Sequence, residues 1–372
     1  MSEKLNLGIL FGGRSCEHEV SVTSAKSMLE SVNQDKYNIH LIGIDKDGHW
    51  HLGDSIEQLI QSREVRRVSS EPRSTASDLV CLQTCNNGNL EAIDNTSTSI
   101  AKLDVVFPML HGTFGEDGTI QGLFELAGIP YVGCGVAASA IAMDKALAKQ
   151  VFSAAGIPQA PCEILHYGDW LEHGQNVIPK VEQKLGYPMF VKPANMGSSV
   201  GVSKAANRNV LVTGIEHAFE FDNKVVVESS MENCHEVECS VLGNNRPIAS
   251  LVGEILPGAE FYNYETKYLD DKSETRIPAD IPENIADAVR DLAIRAFRAI
   301  DGSGLSRVDF FVNRENHAIY LNEINTLPGF TPISMYPKMW QASGINYPDL
   351  IDQLIELAIS RNAEQNRLKR AL

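Results

Sequence analysis

Two short segments near the carboxyl end of the sequence combine acidic, amide and basic side chains at alternating positions. Arg307, Asp309 and Phe311 fall on one face of a predicted strand, and Glu323 and Asn325 share a face of the next. Any hairpin register that pairs Asp309 with Glu323 also pairs Arg307 with Asn325. Oxygen ligands without histidine or cysteine suit Mg²⁺, whereas a solvent-facing Arg–Asp salt bridge is the simpler alternative. The Pro-Gly turn that follows presents backbone N–H groups beside the cluster and favours the metal site.

Two lysines and a loop of small residues indicate phosphate binding. Lys192 precedes Gly197–Gly201, a Gly-Ser-Ser-Val-Gly loop whose backbone could approach phosphates closely. The loop lies between strand-like segments and lacks the G-x-x-x-x-G-K-[ST] pattern, so it is not a Walker loop. Lys145 is a second candidate phosphate ligand. Glu228 could accept from a purine amino group, and Glu236 could bind ribose hydroxyls. Taken singly, each lysine or acid is also explained as a surface charge, and the loop as a hairpin turn.

Hydrophobic periodicity predicts the elements that position these groups. Leu5–Phe11, Tyr37–Ile44 and Leu103–Leu110 have the pattern of buried strands, and a helix is expected from Ser15 onward. This strand–helix–strand order predicts an α/β unit with parallel strands. Val65–Thr98 is polar and rich in Ser, Arg, Asn and Asp, so most of it is interpreted as a surface excursion.

The rest of the chain is predicted to contain helices and short strands. Helices are expected at Ala137–Ala155, Ile285–Ile300 and Tyr347–Arg361. Strands are expected at Pro188–Pro193, Val200–Lys204, Val225–Glu228, Glu236–Leu242, Pro247–Glu254, Arg307–Val312 and Ala318–Ile324. The predicted fold class is α/β and α+β, with a ligand in a cleft between domains.

Bulk composition excludes several classes of protein. The chain has 372 residues, which at about 100–200 residues per domain indicates two or three domains. A net charge of −16 argues against a general nucleic-acid binder. The seven cysteines include no C-x-x-C pair and fit reduced thiols. No basic flank with an apolar run suggests a secretory signal, and no stretch approaches the ~20 apolar residues of a membrane helix. A cytoplasmic protein is expected.

Taken in order, several segments resemble the D-alanine–D-alanine ligases of the ATP-grasp superfamily. The matching segments are Gly12–Ser21, His111–Gly118, Met143–Lys145, the Gly197–Gly201 loop, Phe261–Tyr268 and Asn322–Gly329. The resemblance runs nearly end to end. It implies a three-domain ATP-grasp architecture: an N-terminal parallel-sheet α/β domain (1–140), a central subdomain (141–230), and a C-terminal subdomain with the metal site and a lid loop (231–372). It also implies a homodimer that joins two D-alanines through a D-alanyl phosphate, for peptidoglycan precursor synthesis.

The resemblance further implies a cofactor and the groups that bind substrates. ATP would be the co-substrate, with two Mg²⁺ ions, or Mn²⁺, as cofactor. The ATP-binding set would be Lys145, Lys192, Ser199, Glu228, Glu236 and Lys267. The metal ligands would be Asp309, Glu323 and Asn325.

For the reacting groups, the resemblance gives individual roles. Glu17 would bind the ammonium of the first D-alanine, with His111 near the reacting carboxylate. Arg307 and the Gly329 N–H would stabilise the oxyanion. The second D-alanine's carboxylate would bind at Ser334.

Closure over the site would come from the lid segment Tyr262–Tyr268. In it Lys267 would reach the γ-phosphate, and Tyr268 would pair with Ser198 and Glu17. Closure matters because water would hydrolyse an acyl phosphate.

Some positions depart from the family, and other functions stay open. Ser229 stands where the family usually has a lysine beside adenine, and Ser229–His235 is one residue longer than in close relatives. A ligase that takes D-lactate or D-serine as second substrate is the nearest alternative. A nicotinamide dehydrogenase is another, because Gly133–Ala138 fits G-x-G-x-x-A. A nucleotide-binding regulator without turnover is the third.

Overall fold

The structure, a computed structural model, describes residues 4–60, 78–82, 89–92, 99–256 and 274–369. Within these residues the strands form three sheets. The first has seven strands in the order β6-β5-β4-β3-β2-β1-β7. Its strands are β1 Leu5–Gly12, β2 Tyr37–Ile44, β3 Trp50–Gly53, β4 Asp78–Leu82, β5 Asn89–Ala92, β6 Ser99–Lys102 and β7 Val105–Pro108.

The predicted parallel unit is present, but it is only part of this sheet. β1 pairs in parallel with β2 and with β7, and helix α1, His18–Ser31, connects β1 to β2. The four pairs from β2–β3 to β5–β6 are antiparallel, so the sheet is mixed. Two of these strands, β4 and β5, lie in the segment that was interpreted as surface excursion, and that interpretation was wrong for them. They have five and four residues, too few for a clear alternation. The rest of that segment lies outside the described residues.

Helix α2, Thr119–Ala127, is followed by two helices where one was expected. Val136–Met143 (α3) and Lys145–Ala154 (α4) are separated at Asp144, whose backbone is extended with φ −82° and ψ 95°. Asp144 Oδ1 accepts hydrogen bonds from two N–H groups of the first turn of α4, at 3.1 and 3.0 Å. A carboxylate in this N-cap position stabilises a new helix start, which accounts for the break. Lys145 is therefore the first residue of α4.

The second sheet has the order β10-β9-β11-β8, and its pairs are antiparallel. Its strands are β8 Cys162–His166, β9 Met189–Pro193, β10 Ser203–Ala205 and β11 Lys224–Ser229. The helices beside it are α5 Tyr167–His173, α6 Ile178–Leu185 and α7 Arg208–Ala218, with a 3₁₀ turn at Gly174–Val177. The Gly197–Gly201 loop, called the Gly/Ser loop below, connects β9 to β10, as expected.

The third sheet has the order β14-β13-β12-β15-β16 and is antiparallel throughout. Its strands are β12 Cys234–Gly243, β13 Ile248–Leu256, β14 Glu274–Arg276, β15 Gly304–Asn313 and β16 Ile319–Asn325. Helices α8 Glu283–Ala299, α9 Met335–Ala342 and α10 Tyr347–Asn366 complete this part. Both predicted hairpins, β12–β13 and β15–β16, are confirmed.

The last helix, α10, packs against the first sheet as well as against the third sheet, which precedes it in the chain. Leu350, Ile351 and Leu354 of α10 share a buried core with Leu7 and Ile9 of β1. The amino- and carboxyl-terminal parts of the chain therefore have one continuous apolar core between them. In the described part of the chain, no helix is both long and apolar enough to cross a membrane.

Candidate active site

A cleft of about 440 Å³ lies where the three sheets meet. Most of the residues predicted from the sequence line it: Glu17, His111, Lys145, Lys192, Ser198, Ser199, Glu228, Glu236, Arg307, Glu323, Asn325 and Gly329. Of the other predicted residues, Asp309 lies behind Arg307, and Ser334 lies beside Gly329. Lys267 and Tyr268, with the whole Tyr262–Tyr268 lid segment, lie outside the described residues. The residues that flank this gap, Leu256 and Glu274, are partners in adjacent antiparallel strands.

One end of the cleft is organised around the carboxylate of Glu17. Glu17 comes just before α1, is 8% exposed, and accepts a short hydrogen bond from Ser198 Oγ. Its backbone N–H donates to Ser15 Oγ at 2.9 Å, and that hydroxyl donates to the His111 carbonyl at 2.7 Å. Ser198 has a φ of +49°, a region that non-glycine residues rarely adopt. The Gly/Ser loop is thus held against the amino-terminal part by a carboxylate–hydroxyl contact.

His111 is buried between the amino- and carboxyl-terminal parts. Its Nδ1–H donates to the Leu327 carbonyl at 3.1 Å, and its Nε2 lies 3.1 Å from Ser24 Oγ. Burial lowers the pKa of His111, but Glu116 and Glu17 outweigh this effect and leave the pKa raised. Burial also raises the pKa of Glu116, and the nearby Glu17 adds to it. The acids around His111 therefore favour a positive charge at this end of the cleft.

The opposite wall is the predicted acid–amide–arginine face. The register pairs Arg307 with Asn325 and Asp309 with Glu323, as the sequence predicted. Arg307 donates from two nitrogens to the two oxygens of Asp309, each at 2.7 Å, and Asn325 Nδ2 donates to Asp309 Oδ2 at 3.2 Å. Glu238 lies 3.1 Å from Arg307 Nε. Burial lowers the pKa of Arg307, but Asp309 and Glu238, with Glu323 further away, raise it well above its usual value.

This face fits a divalent cation by its charge and its donor atoms. Three carboxylates, from Glu238, Asp309 and Glu323, act on one guanidinium. Carboxylates gathered this closely repel one another, and a divalent cation would reduce that repulsion. Carboxylate and amide oxygens are the donors that Mg²⁺ prefers.

The middle of the cleft contains Lys145 and Lys192. Lys145 Nζ donates to the Met196 carbonyl at 2.7 Å, which connects α4 to the Gly/Ser loop. Lys192 makes a short contact with Glu228 and lies 3.5 Å from Asn322 Oδ1. Burial lowers the pKa of Lys192, but Glu228, with Glu323 and Glu236, raises it. Glu228 was expected to accept from a purine amino group, and that stays a prediction.

The Gly329 end of the cleft joins the helix α9. Ser334 immediately precedes α9, and its Oγ accepts from the Thr331 N–H at 3.2 Å. A Cβ added at Gly329 would lie 3.1 Å from Ser334 Oγ, so backbone and hydroxyl face one small space. The start of a helix presents unpaired N–H groups and favours an anion there.

Three residues of the site escaped prediction: Glu116, Lys149 and Glu238. Glu116 lies inside the His111–Gly118 motif but was given no role. Lys149 is one helical turn after Lys145, on the same face of α4. Glu238 is two residues after Glu236 and pairs with Asp309 across β12 and β15. Period-two alternation along β12 could have identified Glu238. Identifying Lys149 would have required knowing that α4 begins at Lys145, because only then do the two lysines fall on one helix face.

Comparison with known proteins agrees with this geometry. Residues 6–134 match the family model for the D-ala D-ala ligase N-terminus, and residues 151–356 match that for the C-terminus. The D-alanine–D-alanine ligase of Acetivibrio thermocellus is 50% identical over 371 residues, covering 97% of each chain. That of Heliobacterium modesticaldum is 47% identical, covering 98% of this chain and 97% of the relative.

Solved structures give the same assignment. The D-alanine–D-alanine ligase from Coxiella burnetii has a TM-score of 0.83 and 38% identity, covering 98% of this chain and 97% of that one. The VanG D-Ala:D-Ser ligase from Enterococcus faecalis has a TM-score of 0.83 and 35% identity, covering 96% and 100%. These nearly full-length matches to ligases contradict the two alternatives of a nicotinamide dehydrogenase and a regulator without turnover. The chain belongs to the D-alanine–D-alanine ligase family, ATP-dependent ligases with the ATP-grasp fold that form a peptide bond.

Proposed function

We propose that this enzyme joins two D-alanines to D-alanyl-D-alanine through a D-alanyl phosphate, for peptidoglycan precursor synthesis. The observation that carries the proposal is one cleft that combines a buried acid, a group of lysines and an acid–amide face. The similarity to D-alanine–D-alanine ligases supports the substrate. The carboxylate of the first D-alanine attacks the γ-phosphorus of ATP and releases ADP. The amine of the second attacks the acyl carbon, loses a proton and displaces phosphate.

The Glu17 end is proposed to bind the first D-alanine. Its carboxylate is buried and oriented by Ser198, so it can pair with an ammonium in a low-dielectric site. His111, held by the Leu327 carbonyl, would lie near the reacting carboxylate, where a positive charge offsets the negative charge of two anionic reactants. Tyr268 would extend this set from the lid.

The lysine region is proposed to bind ATP. Lys145, Lys192 and Lys267 would hold its phosphates, and Glu228 and Glu236 its nucleoside. Ser199 would contact the phosphates from the Gly/Ser loop, and its φ of +59° lies in a region that non-glycine residues rarely adopt. Asp309, Glu323 and Asn325 would hold two Mg²⁺ ions, or Mn²⁺. The metal supplies charge neutralisation for the transferring phosphoryl group.

The Gly329 end is proposed to bind the second D-alanine. Its carboxylate would accept from Ser334 and from the first N–H groups of α9. Arg307 and the Gly329 N–H would donate to the oxyanion that forms when the amine attacks. Arg307 is already fixed by Asp309 and Glu238, so little reorganisation is needed when that charge develops.

The proposed units are residues 1–140, 141–230 and 231–372, with the shared core of α10 joining the first and third. We also propose a cytoplasmic homodimer. The six cysteines within the described residues are free thiols, which fits a reducing compartment. Sedimentation of the purified protein tests the dimer.

The test of function is phosphate release from ATP and Mg²⁺ across a panel of D- and L-amino acids and D-lactate, with the product mass measured. D-alanine alone should give the dipeptide. No phosphate release with any D-amino acid contradicts the proposal. The similarity to a D-Ala:D-Ser ligase keeps a D-serine second substrate as the second candidate, and D-lactate is the further one. A mixed product formed in preference to the dipeptide would establish the corresponding alternative.

A further inference from the structure

Lys149 is a buried cation that none of the steps above uses. It lies on α4, one turn after Lys145, and is 7% exposed. Its Nζ is 2.8 Å from Oε2 of Glu228, and within the described residues the ammonium makes no aligned hydrogen bond. A small cavity beneath the main cleft is lined by Lys149, Lys145, Lys192 and Glu228, so these groups form one connected region.

Glu228 therefore has two buried counter-ions, one on each oxygen. Oε1 contacts Lys192 and Oε2 contacts Lys149. Burial alone raises the pKa of Glu228, but the two ammonium groups outweigh it and lower the pKa to about 2. One cation is enough to offset the charge of a buried carboxylate. Because Glu228 has two, either lysine can leave while Glu228 stays paired with the other.

The two lysines differ in what else surrounds them. Lys192 lines the main cleft, and its Nζ lies 3.5 Å from Asn322 Oδ1. The negative charges of Glu323 and Glu236 also raise its pKa. Lys149 lies beneath that surface and lines only the inner cavity. Lys192 is thus the lysine that a phosphate in the cleft can attract.

We propose that Lys149 is the permanent counter-ion of Glu228, which frees Lys192 to leave that carboxylate and bind an ATP phosphate. This inference rests on the proposed ATP site. It makes Lys149 a positioning residue, because it acts on the nucleotide through Glu228 and Lys192. The neighbouring Ser229 cannot act as a counter-ion of Glu228, because it is uncharged and its hydroxyl donates to the Leu185 carbonyl at 2.9 Å.

The test is a double-mutant cycle on the full-length enzyme, measuring ATP affinity at equilibrium together with KM and kcat. In K149M, Lys192 becomes the only counter-ion of Glu228, so releasing it leaves a buried unpaired charge. We expect ATP affinity to fall about tenfold or more, with kcat at saturating ATP changed less than about threefold. In an E228Q background the carboxylate is absent, so K149M should then change ATP affinity less than about threefold.

The control is K184M, which removes a half-exposed lysine paired with Glu163 outside the cleft and should bind ATP normally. A K149M variant with ATP affinity within about twofold of the wild type overturns the inference. An equal loss in both backgrounds also overturns it, because Lys149 would then act independently of Glu228. If K149M alone does not fold, K149Q takes its place in both backgrounds, and the same two comparisons decide. Wild-type enzyme that fails to bind ATP would instead refute the proposed function itself.

Discussion

Gly112 tests whether the position of the Glu17 carboxylate controls activity. Gly112 has a φ of +72°, and a Cβ added there would lie 2.4 Å from Glu17 Oε2. Ordinary contact begins at 3.4 Å, so the carboxylate of a Gly112→Ala variant must move by about 1 Å. The atom that yields is the end of a side chain rather than backbone. We therefore expect the fold to survive and the binding group to be displaced.

The size of each effect can be estimated. An alanine in the left-handed region costs about 1–2 kcal/mol, against a typical total stability of about 5–15 kcal/mol. A displacement of about 1 Å in a positioning group can lower the rate roughly 100-fold. The variant should therefore melt a few degrees lower yet lose about two orders of magnitude in kcat/KM for the first D-alanine.

The assay is ADP release over a wide range of D-alanine concentrations, with urea unfolding run in parallel. Gly122→Ala is the matched control: Gly122 lies in α2, and an added Cβ there meets nothing within 4 Å. That control should keep wild-type kinetics and gain a little stability, since alanine favours a helix over glycine by about 1 kcal/mol. A folded Gly112→Ala enzyme with kcat/KM within about threefold of the wild type would refute the assigned role of Glu17.

Three further predictions concern the metal face, the lid and the buried acid. Glu323→Ala should abolish ligation while circular dichroism stays native, with Glu315→Ala in the exposed turn as control; near-normal turnover would remove the metal assignment. Tyr268→Phe should raise the KM of the first D-alanine, and unchanged kinetics would mean that the lid residue is misassigned. The pKa of Glu228, about 2, lies below its ordinary 4.5, so its stabilising effect is present above pH 4.5 and disappears as the pH falls toward 2. The difference in unfolding free energy between wild type and Glu228→Gln should therefore shrink over that range, and a constant difference in urea melts would contradict it.

Local rules predicted the chemistry of the hairpin but not every neighbour of it. The pairing of Arg307 with Asn325 and of Asp309 with Glu323 follows from strand alternation, because one pair fixes the other. The break at Asp144 could not be separated from a continuous helix by periodicity, since apolar residues continue on both sides. Only the capping preference of aspartate marks it.

Contacts between distant segments were beyond sequence reasoning from one chain. Lys149 and Glu228 are far apart in the sequence, with β8, β9 and β10 between them, and each is an ordinary charged residue in its own segment. What brings them together is the packing of α4 beside β11, which no short-range pattern specifies. The resemblance to a family supplied the expected partners of Glu17, whereas the partners of Glu228 came from the structure alone.

Charged groups of the cleft pair with one another, which has a consequence for how the cleft would bind a polyanion. Lys192 faces Glu228, so a phosphate bound by Lys192 in the proposed ATP site would replace a carboxylate partner. Such an exchange is favourable only if the displaced carboxylates keep other partners, because an unpaired buried charge is costly. Glu228 would keep Lys149. A protein with a net charge of −16 can therefore bind an anion because its local counter-ions, rather than its overall charge, determine the binding energy within the cleft.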